Sequence, residues 1–246
     1  MEQSNQQGFV DIHTHILPGV DDGAADLAGA MKLLRMAHED GTSAIVLTPH
    51  YRGRYRRNTP QQLRERYDAL CDEVRKELPD LHLYLGNEAG WERELGEKMV
   101  EERVLTLNDT PYVLLEFEFG CRRAQMLDGV MEVVNCGYTP IIAHVERYDI
   151  FRKDKRLADE VLSMGALLQI NADSVLGKRG FSHKRCCRRL LKRGQVHFIA
   201  SDAHDPAHRP PLLRECFTYI SKRYGEDYAR LLLRDNAQAM LSGQWR

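Results

Sequence analysis

The segment FVDIHTHILPGVDDGA, residues 9–24, sets two histidines and three aspartates beside a short apolar run. His13 and His15 stand two apart, so an extended strand presents both to one face. Asp202 and His204 repeat that spacing in SDAH, and His50, Glu88, Glu116 and His144 each end or follow another apolar run. Imidazole and carboxylate together suit a divalent transition metal, the mixed nitrogen and oxygen set fitting manganese, iron, cobalt or zinc. These eight side chains exceed the usual shell of one ion, so two or three ions fit better. Glu116 and Asp202 are candidate bridging carboxylates. Such a cluster activates water and neutralises an anionic substrate.

The elements that must position these groups are short. Candidate strands are FVDIH (9–13), SAIVLT (43–48), LHLYLG (81–86), YVLLEF (112–117), TPIIAH (139–144), LLQIN (167–171) and VHFIAS (196–201). Most are continuously apolar, which favours a sheet covered on both faces. Segments 23–40, 60–78, 123–136, 154–164 and 182–193 carry helical periodicity, the first through Leu27, Met31, Leu34 and His38. Thr59-Pro60 reads as a cap and first helical residue. The tail from Leu212 to Leu241 reads as one or two closing helices. Strand–helix alternation of this kind predicts a barrel-like α/β domain, with an open doubly wound sheet as the alternative. Six of the seven strands deliver a histidine or carboxylate at their C-terminal ends, the rim where such barrels gather their chemistry. Residues 1–8 are expected to be loose and 9–246 to form one domain. His38, His82, His183 and His197 lack this placement and read as surface or packing residues.

Composition narrows the function. The chain has 246 residues and a formal net charge of −1, which argues against general nucleic-acid coating. No apolar run is long enough to span a membrane, and the polar N-terminus lacks a signal-peptide core. Six cysteines without paired ligand spacing make the cytoplasm the default compartment. No glycine-rich phosphate loop follows a strand, so no dinucleotide or P-loop nucleotide is expected. A cysteine-based phosphatase is disfavoured, which leaves metal-activated water as the expected nucleophile.

Two arginines point to the substrate. Arg147 follows His144 in HVERY, and Arg209 follows His204 in HDPAHRPP. A guanidinium beside a metal cluster clamps phosphate or carboxylate oxygens in pairs, so a phosphoester is the favoured substrate. His208, in the same segment, is a weaker candidate for protonating a leaving oxygen. The loop YRGRYRRN, 51–58, holds four arginines directly after His50. It would supply positive potential and two tyrosine rings if it overhangs the site.

On these residues the chain resembles the polymerase and histidinol phosphatase (PHP) superfamily, and within it the bacterial capsule-associated protein-tyrosine phosphatases. DIHTHILPGVDDGA, TPHY, GNE, LLEF, HVERY and SDAHDPAHRPP occur in the family's order, from about Phe9 to Met240. The resemblance implies a distorted (β/α)7 TIM-like barrel and a trinuclear centre, with manganese the expected metal. It implies His13, His15, His50, Glu88, Glu116, His144, Asp202 and His204 as ligands, and Arg147 and Arg209 as phosphate-binding, with Asp202 beside them in the catalytic set. Asp21 and Asp22 would order the loop beside the cleft or bond the arginines. The implied substrate is a phosphotyrosyl protein, the tyrosine-rich tail of a cognate bacterial tyrosine kinase that controls capsule or exopolysaccharide synthesis. A small-molecule phosphomonoesterase of the histidinol phosphatase kind and a metal-stabilised peptide-binding module are the alternatives. The chain departs from the family at HVERY, where HPERY is common, and at EFE, where EFP is usual; Glu118 thereby adds a negative charge near a strand end.

Overall fold

The structure, a computed structural model, describes residues 8–244. The expectation of a loose segment at 1–8 lies, Gly8 apart, outside those residues. The described residues form nine strands: β1 (Phe9–Thr14), β2 (Thr42–Leu47), β3 (His50–Tyr51), β4 (His82–Leu85), β5 (Glu88–Gly90), β6 (Tyr112–Glu116), β7 (Thr139–Ile142), β8 (Leu167–Asn171) and β9 (Phe198–Ala200). Every pairing is parallel, in the orders β1-β2-β4 and β3-β5-β6-β7-β8-β9.

The two sheets are one curled wall. Pro49 has no N–H to give and interrupts the run between β2 and β3. The ladder continues across the break, because Gly86 N–H donates to the Leu47 carbonyl and Glu88 N–H to that of Pro49. Asn87 stitches the gap with its side chain, donating to the Pro49 carbonyl and accepting from Leu105 N–H, each at 2.9 Å. The wall closes at its C-terminal end, where Asp202 N–H donates to the His13 carbonyl (2.9 Å) and His15 N–H to that of Ala203 (2.8 Å). The result is seven strand positions in a distorted (β/α)7 barrel, as expected; the open sheet is set aside.

Helices cover the outside. Thr59 caps the Pro60–Glu77 helix in a reciprocal capping box with Gln62, the arrangement that satisfies two end N–H groups at once. The expected 154–164 helix forms over Leu157–Ser163, and a separate short helix, Asp149–Lys153, precedes it. Gly225, at φ 100°, ends the Arg214–Tyr224 helix, and a second closing helical run follows to Leu241. Ile45 and Leu47 pack with Leu33, Leu34 and Leu70 of the first two long helices. Leu115, Ile142, Leu168 and Ile199 pack against the later ones. No helix among the described residues is long and apolar enough to cross a membrane.

His82 opens β4 exposed, and His197 precedes β9, both at the rim away from the histidine cluster. His197 Nδ1 accepts a hydrogen bond from Leu168 N–H (3.2 Å), and burial pushes the imidazole down to about 4. The folded state therefore keeps this ring neutral. Its contribution is complete above the unfolded value near 6.5 and is lost as pH falls toward 4. His197→Asn retains an acceptor without a titration, so between pH 7 and pH 5 it is expected to lose about 1–2 kcal/mol less stability than the parent. Urea unfolding at the two pH values checks this.

Candidate metal centre

Eight side chains converge where β1, β3, β5, β6 and the turns after β7 and β9 meet. His13, His15, Glu88, Glu116, His144 and Asp202 are at most 3% exposed, His50 5% and His204 7%. Four overlapping groups have ligand atoms within 4.8 Å of one another: His13, His15 and Glu88; His13, His144 and Asp202; His50, Glu88 and Glu116; and His15, His50, His204 and Asp22. The structure thus brings together every residue the sequence singled out as a ligand.

Glu88 is at the middle. Its Oε1 lies 2.9 Å from His144 Nε2 and 3.3 Å from His13 Nε2. Its Oε2 lies 2.7 Å from His50 Nδ1 and 3.3 Å from His15 Nε2. Glu88 Oε2 and His50 Nδ1 are close but lack hydrogen-bond alignment, and buried Glu116 Oε2, 3.0 Å from Arg52 Nη1, likewise makes no aligned hydrogen bond. His13 Nε2 and His15 Nε2 face each other at 3.2 Å. Lone pairs aimed at a common interior, with three buried carboxylates among them, are what a cation would satisfy and what protons alone satisfy poorly.

The electrostatics agree. Burial alone would lower His50, yet Glu88, Asp22 and Glu116 raise it to about 11. Burial likewise opposes the charged form of His15, but Asp21 and Glu88 raise it to about 9. A pocket that draws protons so strongly favours positive charge of any kind. His204 goes the other way, to about 3, through burial and the neighbouring His15 and Arg209, which keeps its ring in the ligating form.

The LPGVDDGA loop resolves into separate tasks. Asp21 Oδ2 bonds His15 Nδ1 (2.7 Å) and accepts from His50 N–H (3.0 Å), so it fixes one ring and the backbone of another. Asp22 Oδ1 faces His50 Nε2 at 3.3 Å and His204 Nε2 at 3.8 Å, placing it with the ligands. Gly23 runs against His15, and any Cβ there would fall 1.8 Å from the His15 carbonyl oxygen. His144 (φ 36°) and Asp202 (φ 55°) both adopt the left-handed backbone region that side chains rarely occupy, and such strain gathers at functional sites.

Both sequence-predicted arginines reach the cluster's edge. Arg147 Nη1 lies 3.0 Å and Arg209 Nη2 2.5 Å from the same atom, Asp202 Oδ2. Arg147 also stacks its guanidinium 4.4 Å above the Phe119 ring, which is 42% exposed. His208 is exposed and stands in none of the four groups; only its main-chain N–H is engaged, to Asp205. Glu118 is exposed beyond the end of β6.

The arginine-rich loop reaches the site as the sequence allowed, whereas the contribution of strand β8 escaped the sequence reading. From the arginine-rich loop, Arg52 pairs with Glu116 at 3.0 Å and Tyr55 stacks on His50. Tyr51, expected to offer a ring, is instead buried in the core. Strand β8 supplies amides rather than ligands. Gln169 Oε1 accepts from His144 N–H (2.7 Å) and faces His13 Nδ1 (3.2 Å). Gln169 Nε2 donates to Asn171, and Asn171 Nδ2 to Asp202 Oδ2, each at 2.8 Å. The signal was two polar residues at period two in an apolar strand. Gln169→Leu is expected to weaken divalent-metal affinity about 10–100-fold, read by competition against a chromophoric chelator.

A cysteine nucleophile is excluded by placement rather than by spacing. Cys187 and Arg193 do stand six apart, the spacing of a thiolate phosphate loop, which the sequence reading overlooked. Cys187 is fully buried inside the Phe181–Lys192 helix, burial pushes its thiol well up, and Arg193 pairs with Asp159. That pair therefore offers no nucleophile.

Residues 9–242 match the family model described as capsular polysaccharide synthesis, CpsB/CapC. The tyrosine-protein phosphatase CpsB of Streptococcus agalactiae is 32% identical over 244 residues, covering 96% of this chain and 100% of that one. The tyrosine-protein phosphatase YwqE of Bacillus subtilis is 35% identical over 238 residues, covering 96% and 92%. A solved structure, described with YwqE of Bacillus subtilis and CpsB of Streptococcus pneumoniae as unique metal-dependent tyrosine phosphatases, aligns with a TM-score of 0.89. It is 34% identical and covers 96% of this chain and 95% of its own. The phosphotriesterase homology protein of Escherichia coli, at 12% identity and a TM-score of 0.60 over 95% and 99% of the two chains, shares the fold alone.

Proposed function

The chain belongs to the CpsB/CapC capsular polysaccharide synthesis family, and from that premise we propose that it is a metal-dependent protein-tyrosine phosphatase. Its substrate is a phosphotyrosyl protein, and the tyrosine-rich tail of a cognate kinase acting in capsule or exopolysaccharide synthesis suits the site. The observation that carries the reading is the buried histidine and carboxylate cluster with Arg147 and Arg209 meeting at Asp202 on its edge.

His13, His15, His50, Glu88, Glu116, His144, Asp202 and His204 would hold two or three divalent ions, manganese by preference, with Asp22 adjoining. Bound there, the ions would supply positive charge and an acidified water at the phosphorus. The residues do the rest. Arg147 and Arg209 orient the phosphate and stabilise the charge that develops on its oxygens. Phe119, exposed over Arg147, gives the phosphotyrosine ring an apolar wall. Asp21, Gln169 and Asn171 keep the ligands from rotating. The phenolate, with an ordinary pKa near 10, leaves with modest assistance. We place this action in the cytoplasm, where the six free cysteines would stay reduced.

The test is phosphate release from a phosphotyrosyl peptide, measured after chelation and again after adding manganese. Turnover is expected to vanish and return. If the reconstituted protein ignores the peptide but hydrolyses histidinol phosphate, the substrate class is wrong. If it binds the peptide without turning it over, it is a binding module.

A further inference from the structure

We propose that the face formed by the Phe181–Lys192 and Arg214–Tyr224 helices docks on an anionic membrane surface. The sequence FSHKRCCRRLLK contains five lysines and arginines and no acid. Its apolar stripe, Cys186, Cys187, Leu190 and Leu191, is spent in the core, so the cations are what it presents outward. Lys184 is tied to the Leu176 carbonyl and Arg189 to that of Phe151. Arg185, Arg188 and Lys192 make no ion pair among the described residues, nor do Lys222 and Arg223 on the neighbouring helix. Two open grooves that share Lys192 join these groups into one surface. In a chain whose formal net charge is −1, five cations without an acidic partner among the described residues are a strong local asymmetry on one face.

The form of the face selects the partner. Two helix surfaces offer no free strand edge along which a peptide main chain could pair. The cations are spread across an open area, as a plane of headgroup phosphates requires and a single phosphate does not. Phe181, 76% exposed at the start of the helix, adds an apolar side chain that can enter the headgroup boundary, and anchoring by charge is stronger with such a second element. The first turn of this helix connects to the main chain of Arg147: His183 lies 3.4 Å from Arg152, which donates to the Arg147 carbonyl at 2.6 Å.

The test is co-sedimentation of the full chain with phosphatidylcholine vesicles, with and without about one third phosphatidylglycerol. Binding to the anionic vesicles alone, weakening as salt rises, is expected. The R185E/K192E/K222E variant, whose altered groups are all exposed, should bind about a hundredfold more weakly while turning over free phosphotyrosyl peptide like the parent. That activity readout shows the variant folded and separates failure of the docking face from failure of the phosphatase reading. Phe181→Ser should weaken binding less and leave its salt dependence intact. Indifference to anionic vesicles at low salt, or equal binding by the triple variant, overturns the proposal. So does preference of the same cations for polyglutamate or an oligonucleotide over the vesicles.

Discussion

Glu88→Gln is expected to lower kcat/KM on a phosphotyrosyl peptide by about a thousandfold or more, with loss of bound metal at more than one position. The substitution keeps shape and removes charge. Both Glu88 oxygens are committed, one facing His13 and His144 and the other His15 and His50, so two of the four ligand groups contain it. Metal assistance of this kind contributes several kcal/mol to a barrier, and each 1.4 kcal/mol is tenfold in rate. Stability should fall as well, because Glu88 faces four imidazoles and removing one partner of a buried charge cluster leaves the others uncompensated. Metal content by mass spectrometry, turnover and a thermal melt together separate these effects. Full activity with full metal occupancy would remove Glu88 from the centre.

The chemistry of the site was more legible in the sequence than its mechanics. Histidines and carboxylates at successive strand ends were visible because a parallel barrel directs strand ends to one rim, and apolar strands make a polar end stand out. Glu116 and Asp202 were the expected bridges; Glu88 faces four imidazoles where Asp202 faces three and Glu116 two, a difference set by which rim positions curl inward, and spacing does not report curvature. The breaks at Pro49 and Gly86-Asn87 were equally hidden, since a strand that pauses and resumes reads as a strand and a loop. Gln169 and Asn171 were passed over because amides carry no charge signal, although their alternation in LLQIN was in view. The roles of Asp21 and Asp22 could not be divided from adjacency alone; they divide because consecutive side chains leave the backbone in different directions, one to a ring and a main-chain N–H, the other to the ligand group.

Arg147→Ala and Arg209→Ala are each expected to lower kcat/KM by about a hundred- to a thousandfold, with most of the loss in kcat. Both guanidinium groups end on Asp202 Oδ2, while Oδ1 of the same carboxylate faces His13, His15 and His204 at 3.5–3.6 Å. Asp202 therefore links the candidate ligand set to the proposed phosphate clamp. Because the two arginines share that one acceptor, the double variant should lose less than the product of the single losses. Lysine at either position restores charge but not the planar fork, so Arg147→Lys should remain closer to alanine than to the parent. It also gives up the stacking on Phe119. A merely structural role makes different demands. If the arginines only hold Asp202, their lysine variants should lose bound metal along with turnover. If they grip the phosphate, metal content should stay intact while inhibition by inorganic phosphate weakens in step with kcat/KM.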